Sequence, residues 1–420
     1  MYALVDGNNF YASCERVFRP DLWEKPVIVL SNNDGCVISR SDEAKALGVK
    51  MGEPFFKHER FYEKNNITVF SANFALYGDL SERVTQVLAN FTPDIEVYSI
   101  DESFLGLYGF RNLDFKKYGQ EIKATVFQHV GIPVGVGIAP TKTLAKLANH
   151  VAKKDKSYSG CCYLKDMAQV DRICGQIPVE EVWGIGHRWV KLLYRQKVKT
   201  VADFKALPEK WVHKQMTVIG LRTYRELHGN PCISLEDAPP AKKAILTSRS
   251  FGKPLQKLAD LEAALCTFGS NAARKLRQQN CCTSLISVSL ETNRFQLDMP
   301  SYKRRQAIRL PYPTDSSLII NQYACYALKQ IYNEAYKYKK TGILLMDFTP
   351  KKAQQLDLFN NFNSPKHHQI METCDALSQK YGKHIVKTAR EGTKEPYKMR
   401  QERLSPCYTT RIEDILVIKI

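Results

Sequence analysis

The sequence lacks the features of membrane-spanning and secreted proteins. None of its apolar runs reaches the roughly 18 residues that a membrane-spanning helix needs. Its first residues, MYALVDGNNF, hold no basic segment ahead of a long apolar stretch, so no secretory signal is expected. We therefore expect a cytoplasmic protein with no membrane partner. No internal repeat of roughly 20 to 50 residues is present either, which argues against a repeat architecture.

Paired cysteines are also missing. The twelve cysteines include no CxxC pair, and the neighbours Cys161–Cys162 and Cys281–Cys282 lack the spacing that a tetrahedral zinc site requires. We expect reduced thiols that fill space, in preference to disulfides or metal ligands.

Acidic residues are too few to balance the basic ones. The chain has 61 Lys and Arg against 43 Asp and Glu, a formal charge of +18. Residues 241–350 alone hold 17 Lys and Arg against 7 Asp and Glu. Scattered, solvated lysines are one interpretation, but this concentration favours a polyanionic partner such as nucleic acid. A hydrophobic fraction of 44% excludes wholesale disorder, and the length of 420 residues predicts two to four domains.

The N-terminal part, residues 1 to about 165, mixes strand-like and helical segments, which predicts an α+β fold. Its apolar, strand-like runs are Tyr2 to Val5, Val27 to Leu30, Ile95 to Ile100 and Val134 to Ile138. A polar insertion interrupts the pattern at about 31–80. Residues 166–236 are predicted to be helical.

The C-terminal half begins with a proline-containing linker at 237–245. Residues 246–350 predict one βαββαβ unit. Its strands are predicted near 244–251, 284–291, 307–312 and 342–348, and its helices near 258–279 and 317–336. Residues 351–420 are predicted to form a polar, loop-like tail.

Three carboxylates follow apolar strand-like runs. Asp6 comes directly after one run, and Asp101 and Glu102 follow another. Magnesium prefers such hard oxygen ligands, and a pair of ions held by them would serve in-line phosphoryl transfer. The spacing alone also fits a turn at Asp6-Gly7 and a solvated corner at Asp101-Glu102.

Four segments resemble one known family. They are Asp6-Gly-Asn-Asn-Phe-Tyr-Ala-Ser13, Gly35 to Gly52, Tyr98-Ser-Ile-Asp-Glu-Ser103 and Gly135 to Asn149. The first and third look like the catalytic motifs of Y-family translesion DNA polymerases, and the likeness to the UmuC type, the catalytic subunit of polymerase V, extends over essentially the whole chain.

The resemblance implies a multidomain, right-hand polymerase. Residues 1–165 would form the palm, with small fingers inserted at about 20–80. Residues 166–236 would form a helical thumb with a helix-hairpin-helix, 246–350 the little finger, and 351–420 a C-terminal tail with a clamp-binding motif.

The same resemblance assigns the metal ligands. Asp6 and Asp101 would bridge two Mg²⁺ ions, Glu102 would bind the ion that activates the primer 3′ hydroxyl, and the Gly7 carbonyl would bind the ion associated with the nucleotide. Nucleotidyl transfer from a dNTP to a primed template is the implied reaction.

Six residues would contact the incoming nucleotide. Tyr11, beside Phe10, matches the steric gate that excludes a ribose 2′ hydroxyl, although a core tyrosine is an alternative. Ile38 and Ser39 would cover the nascent base pair, and Ser39, Lys45 and Lys153 would contact the triphosphate. Lys45 stands where relatives have arginine and Asp42 where a tyrosine is common, so the triphosphate contacts are open; Lys45 and Lys153 could instead be solvated.

DNA contacts are implied at two places. Gly184 and Gly186 resemble the hairpin of a helix-hairpin-helix, where backbone amides approach phosphates; a tight turn between packed helices has the same pattern. In the little finger, the implied phosphate contacts are Arg249, Lys253, Arg294, Lys303, Arg304 and Arg305, some of which could simply be solvated.

A short tail motif resembles the sliding-clamp pentapeptide of bacterial polymerases. It consists of Gln355, Leu356, Asp357, Leu358 and Phe359, whose apolar side chains would fill a pocket on the clamp; packing back onto the body is the alternative. Family members of this type also work with a processed UmuD-like dimer and a RecA filament in the SOS response.

Two other functions fit parts of the sequence. One is a noncatalytic DNA-binding scaffold on a polymerase fold, and the other is a nuclease or cyclase with a similar palm. The presence of all three carboxylates argues against the first, and the basic C-terminal part together with Tyr11 argues against the second.

Overall fold

The chain divides into two units, Met1–Pro239 with Glu402–Ile420 (unit 1) and Pro240–Gln401 (unit 2). The structure is a computed structural model that describes residues 1–110, 113–236, 240–296, 300–351, 365–382, 385–395 and 397–417. Within those residues, no helix combines the length and the apolar character needed to span a bilayer.

Unit 1 has eight strands and ten α-helices among its described residues. The strands are β1 (Tyr2–Gly7), β2 (Val27–Leu30), β3 (Val37–Arg40), β4 (Thr68–Ser71), β5 (Ile95–Val97), β6 (Glu102–Gly106), β7 (Val134–Ala139) and β8 (Cys161–Tyr163). The helices are α1 (Phe10–Val17), α2 (Asp42–Ala46), α3 (Phe55–Lys64), α4 (Phe74–Leu88), α5 (Phe115–Val130), α6 (Lys142–Lys154), α7 (Met167–Cys174), α8 (His187–Arg195), α9 (Val201–Lys205) and α10 (Glu209–Leu227).

A five-stranded sheet in the order β5-β6-β1-β7-β8 forms the centre of unit 1. Only the β7–β8 pair is parallel. Because side chains alternate along a strand, Ala3 and Val5 of β1 enter a core with α4 and α5, whereas Tyr2 and Leu4 enter a core with α6. Asp6 continues the second series, so the alternation directs its side chain to the face that α6 covers.

The helices of residues 166–236 share that second core. Val170, Leu193 and Phe204 are buried in the same cluster as Leu4 and Leu144. These helices are therefore stabilised by packing against the central sheet.

The inserted segment forms a three-stranded sheet in the order β3-β2-β4, with a small core of its own. Helix α4, which follows this sheet, returns to the main core through Leu76 and Leu80. The turn between β4 and α4, at Ala72 and Asn73, therefore joins the insertion to the main body of unit 1.

Unit 2 contains the predicted βαββαβ unit. Its elements are β9 (Ile245–Leu255), α11 (Leu258–Gln278), β10 (Cys281–Glu291), β11 (Lys303–Thr314), α12 (Ser317–Ile331) and β12 (Tyr338–Pro350), followed by α13 (Pro365–Tyr381). The four strands form an antiparallel sheet in the order β11-β10-β12-β9, and α11 and α12 share its core. Strand β11 begins earlier than predicted, and α12 ends five residues before the predicted end at 336.

The prediction of a loop-like tail was wrong for residues 365–381, which form α13. Its polar composition hid the helix. The helix is tied to α11 by two bonds from Arg277 to Asp375, of 2.6 and 2.8 Å. This charged pair stabilises a helix whose sequence shows only weak apolar periodicity.

All twelve cysteines are free thiols, as predicted. Eight of them are buried, and burial raises the pKa of Cys162 to about 12. They act as small hydrophobic side chains.

Candidate active site

The three predicted carboxylates meet at one end of β1 and β6. Asp6 and Glu102 are directly opposite each other in the antiparallel register. The Gly7 amide donates to the Asp101 carbonyl at 2.8 Å, which fixes Asp101 beside the end of β1.

The predicted strand from Ile95 to Ile100 is wrong after Val97. The chain turns there, and the Ser99 hydroxyl donates to the Asp101 carboxylate at 2.5 Å and accepts from the Glu102 amide at 3.1 Å. Asp101 and Glu102 therefore lie at the start of β6, because a local hairpin breaks the apolar run that the sequence shows.

Helix α6 supplies cations and an amide to this cluster. Lys146 pairs with Glu102 (Nζ–Oε1 2.7 Å), and Lys153 pairs with Asp6 (Nζ–Oδ1 2.6 Å). The Asn149 side-chain amide donates to the other oxygen of Asp6 at 3.0 Å. Lys146, Asn149 and Lys153 are spaced at i, i+3 and i+7, so they share one face of the helix. Sequence reasoning gave no role to Lys146 and Asn149, although this spacing was available.

The neighbouring charges of the cluster shift the pKa of Asp6. Burial raises the pKa of Asp6, the neighbouring Lys153 ammonium lowers it, and the charges of Glu102 and Asp101 raise it again. The three carboxylates thus interact electrostatically and are partly neutralised by lysine.

The donor groups of the cluster decide whether it could hold a metal ion. In the ranges that the structure describes, no three His, Cys, Asp or Glu side chains converge to hold a metal ion as they stand. Two of the three carboxylates are engaged by Lys146 and Lys153 instead. The donor set itself, three carboxylates at one sheet end, suits a hard divalent ion once these lysines turn away.

Two glycines of β7 let α6 approach the sheet. A Cβ at Gly137 would lie 2.2 Å from the Asn149 backbone nitrogen and 2.3 Å from the Ala145 carbonyl oxygen. A Cβ at Gly135 would lie 2.7 Å from the Asn149 side-chain oxygen. The short helix–sheet distance that brings α6 to the carboxylates therefore depends on these glycines.

The Phe10 ring leaves no room for a side chain at position 7. A Cβ at Gly7 would lie 2.7 Å from the Phe10 ring, which is buried with 5% of its surface exposed. The side chain of Phe10 is thus a core residue beneath the turn. Its predicted contact with a nucleotide remains untested.

Tyr11 belongs to an aromatic stack. Its half-buried ring stacks on Tyr77 at 4.8 Å and meets the edge of Phe74 at 5.8 Å. The Tyr77 hydroxyl in turn donates to buried Glu15 at 2.6 Å. The orientation of Tyr11 is therefore held by α4.

An open cleft of about 350 Å³ lies next to Asp6, because Lys153, which pairs with Asp6, lines it. Its polar lining includes Lys45, Lys153 and Lys156, together with Asn9 and Asp42. Lys45 pairs with Asp42 at 2.8 Å, which also accepts from the Asn9 side chain at 3.1 Å. Three lysines in one cleft suit a polyanion such as a triphosphate.

Ser39 is 5% exposed, and its hydroxyl links β3 to α1. It accepts from the Ala12 amide and donates to the Asn9 carbonyl, both at 3.2 Å. Ile38 packs against the main core of unit 1. Both residues therefore hold the insertion against α1, and their predicted nucleotide contacts remain untested.

Comparison with known proteins identifies the family. The model of the impB/mucB/samB family matches residues 5–150, and that of the family's C-terminal domain matches 242–358. Protein UmuC of Salmonella typhimurium strain LT2 is 43% identical over 423 residues, and Protein ImpB of Salmonella typhimurium is 42% identical over 424; both alignments cover all of each chain. The chain belongs to the impB/mucB/samB family. It is of the UmuC type of Y-family DNA polymerases, and the predicted enzyme class, DNA-directed DNA polymerase, is confirmed.

A solved structure shows the fold. The Y-family DNA polymerase chimera Dbh-Dpo4(243-245)-Dbh has a TM-score of 0.64 and 19% identity, covering 83% of this chain and 99% of that chain. The predicted fold class is confirmed. A third model, a domain of unknown function (DUF4113), matches residues 368–418 of this family member.

The predicted hairpin of this polymerase contacts Tyr98 and Lys146 through Trp183. Gly184 has a φ of 88°, and Gly186 precedes α8 as its N-cap. The Trp183 indole donates to the Tyr98 hydroxyl at 3.0 Å, and the Lys146 ammonium lies over both rings. The hairpin is thus tied to the lysine that neutralises Glu102.

The predicted basic residues of unit 2 lie on different faces of its sheet. Lys303 and Arg305 alternate with Arg304, which pairs in register with buried Leu290 on the helix-covered side. Arg305 aligns across the sheet with Ser289 and Gly342. The residues on the open side near Lys303 and Arg305 are therefore small or polar. The backbone of a partner molecule can approach such a surface closely.

The other predicted DNA contacts are dispersed. Arg249 and Lys253 lie on the edge strand β9, with Arg249 in register with buried Thr341. Arg294 lies between β10 and β11, with its guanidinium 4.8 Å from the Phe295 ring. Lys340, which the sequence analysis did not single out, is aligned with Lys303 through Glu291. The predicted clamp motif, residues 355–359, lies outside the described residues.

Proposed function

We propose that the chain performs error-prone translesion synthesis in the SOS response, transferring nucleotides from dNTPs to a primer 3′ hydroxyl with two Mg²⁺ ions. The observation that carries the proposal is the meeting of Asp6, Asp101 and Glu102 beside a lysine-lined cleft. Family membership supports the reaction class.

Asp6, Asp101 and Glu102, with the Gly7 carbonyl, would hold the metal ions. When bound, two magnesium ions lower the pKa of the attacking hydroxyl and neutralise the leaving pyrophosphate. Lys153, now on Asp6, is close enough to the cleft to exchange that carboxylate for a triphosphate oxygen. Lys45 and Lys156 would contribute the remaining positive charge.

Tyr11 would act as the steric gate against ribonucleotides. The support is its stack on Tyr77 and Phe74, which leaves the ring half-buried and fixed in orientation. A rigid ring can exclude a 2′ hydroxyl, because excluding one oxygen requires placement to a fraction of an ångström.

Unit 2 would contact the backbone of primer-template DNA without reading its sequence. The small open side of its sheet and the flanking Lys303 and Arg305 support this. We further propose that the tail binds a sliding clamp through Gln355 to Phe359, and that the protein works in the cytoplasm with a UmuD-like processed dimer and a RecA filament. These partners rest on the family resemblance.

Single-nucleotide extension of a primed template tests the reaction. With one dNTP at a time, the purified protein and its accessory subunits should add only the complementary nucleotide, and EDTA should stop the addition. A noncatalytic scaffold would bind the template and add nothing. A nuclease would shorten the primer, and a cyclase would consume nucleotide without a template.

A further inference from the structure

Residues 402–408, which we call the strap, lie on unit 1 although they belong to the region matched by the domain of unknown function. The strap begins beside β4, where the Ser71 amide donates to the Arg403 carbonyl and the Arg403 amide donates to the Ser71 hydroxyl, both at 2.9 Å. It therefore extends the edge of the three-stranded sheet.

The strap is fastened at both ends. The Arg403 guanidinium donates to Glu59 at 3.1 Å and lies 4.6 Å from the centre of the Phe55 ring. Tyr408 stacks on Phe18, which directly follows α1, at 4.6 Å. One end thus holds the small insertion and the other end holds the main body of unit 1.

Between these ends the strap contacts the start of α4. The Asn73 side-chain amide donates to the Ser405 carbonyl and hydroxyl oxygens at 3.1 Å, while its oxygen caps the Leu76 amide at 3.3 Å. Asn73 is the N-cap of α4. Because Tyr77 follows one turn later, the strap fixes the helix end that carries it.

A second connection runs through a buried carboxylate. The Ser405 hydroxyl donates to Glu15 Oε1 at 3.1 Å, and the Tyr77 hydroxyl donates to the same oxygen at 2.6 Å. Glu15 has no exposed surface. A buried carboxylate is costly unless it is hydrogen-bonded, so both donors are needed to hold it in place.

We propose that Ser405 is a positioning residue for sugar selection, holding the Glu15–Tyr77 pair on which the Tyr11 ring stacks. The proposal rests on the role of Tyr11 as steric gate. It gives this part of the C-terminal region a role. The strap keeps the Tyr11 ring rigid by holding Tyr77, on which that ring stacks. Without the Ser405 hydroxyl, Glu15 and Tyr77 can shift, and the Tyr11 ring can yield to a 2′ hydroxyl.

The test compares nucleotide selection in the full-length chain carrying Ser405→Ala or Tyr77→Phe. The readout is the ratio of kcat/KM for a dNTP to kcat/KM for the matching rNTP. Each variant removes one hydrogen bond to Glu15, so the ratio should fall about fivefold. Most of that fall should come from faster ribonucleotide addition.

Two matched controls remove similar bonds elsewhere. Ser270→Ala breaks a bond from Ser270 to Glu391 in unit 2, and Tyr194→Phe breaks a bond from Tyr194 of α8 to Glu180. Both should keep the wild-type ratio. Ser405→Thr keeps a hydroxyl and should restore selection to within about twofold of wild type.

Three results separate the possibilities. If Ser405→Ala and Tyr77→Phe lower both kcat/KM values equally, the ratio is unchanged, the effect is general, and the inference fails. If Tyr11→Ala lowers the ratio while these two variants do not, the inference alone fails. If Tyr11→Ala also leaves the ratio unchanged, the gate itself is wrong and the inference falls with it.

Discussion

Asp6 and Glu102 face each other on two antiparallel strands, and each forms an ion pair with a lysine of the same helix. The lysines sit seven residues apart, which is two helical turns. Helix α6 is therefore placed so that its charges match those of the sheet end.

Asp101→Asn should abolish nucleotide addition while leaving DNA affinity nearly unchanged. The change removes one negative charge from the proposed metal ligands and keeps the shape of the side chain, and we expect a loss of about a thousandfold or more in kcat. Primer extension and DNA binding by fluorescence anisotropy are the measurements. Asp171→Asn is the control, because Asp171 is an exposed carboxylate that also pairs with a lysine, Lys205. Wild-type extension by the Asp101 variant would exclude the metal assignment.

Gly137→Ala should destabilise unit 1 by about 3 kcal/mol, because the new methyl group would collide with the backbone of α6. Thermal unfolding followed by tryptophan fluorescence reports on unit 1, which holds all four tryptophans. Gly78→Ala on α4 is the control, since a Cβ there meets nothing within 4 Å, and it should be neutral or slightly stabilising. If Gly137→Ala left the stability of unit 1 unchanged, α6 would be free to move away from the sheet.

Unit 1 should lose stability as the pH rises from about 4.5 to about 7. Burial raises the pKa of Glu15 from 4.5 to about 7, although bonds from Tyr77 and Ser405 and the charge of Arg19 oppose the shift. The folded state then binds the proton more tightly than the unfolded state, so the free energy of unfolding decreases over this range by roughly 3 kcal/mol.

Glu15→Gln should remove that pH dependence, because the amide stays neutral and its oxygen can still accept both hydrogen bonds. Urea unfolding at about pH 5 and about pH 8 measures the effect through the tryptophans. The variant should gain stability over the wild type at the higher pH. An identical pH dependence in the two proteins would show that Glu15 is not the titrating group.

Replacing both Lys303 and Arg305 with alanine should weaken DNA binding and lower its salt dependence. Two phosphate contacts would be lost, so the slope of log K against log salt should decrease in magnitude by about 2. Arg304→Ala is the comparison, because Arg304 shares the covered side of the sheet with Leu290. If Arg304→Ala lowers the slope as much as the double variant does, the open side is not the DNA-binding surface.

Deleting residues 355–359 should lower clamp-stimulated synthesis and spare basal synthesis. The expected loss follows from removing the apolar anchors Leu358 and Phe359. Extension of a primed circular template with and without the loaded clamp measures it. Deletion of an equal number of residues at 383–387, in the same C-terminal region, is the control. Equal stimulation of the intact and deleted forms would refute the motif.

Residues with regular spacing could be predicted from the sequence. The alternation along β1 places Asp6 on the side of α6, and the alternating glycines of β7 are typical of a close backbone approach. The βαββαβ order followed from apolar periodicity in the same way. These patterns involve residues that are close together in the sequence, so they can be recognised without knowledge of the fold.

Other features depended on contacts that no local pattern reveals. The break after Val97 comes from hydrogen bonds of Ser99 inside an apparently continuous apolar run. Helix α13 is polar and is anchored by its pair with Arg277. The clearest case is Glu15, which looks like an ordinary exposed charge on α1 and is buried by Ser405 from the far end of the chain.

That last contact has a consequence for biosynthesis, because 390 positions separate Ser405 from Glu15. A ribosome releases the N-terminal domain of a nascent chain long before it reaches such a distant residue, and domains begin to fold in that order. The hydrogen bond from Ser405 to Glu15 can therefore form only when translation is almost complete. A chain that terminates early would carry Asp6, Asp101 and Glu102 and still lack the hydrogen bond that we propose holds Glu15 and Tyr77 beside the Tyr11 ring.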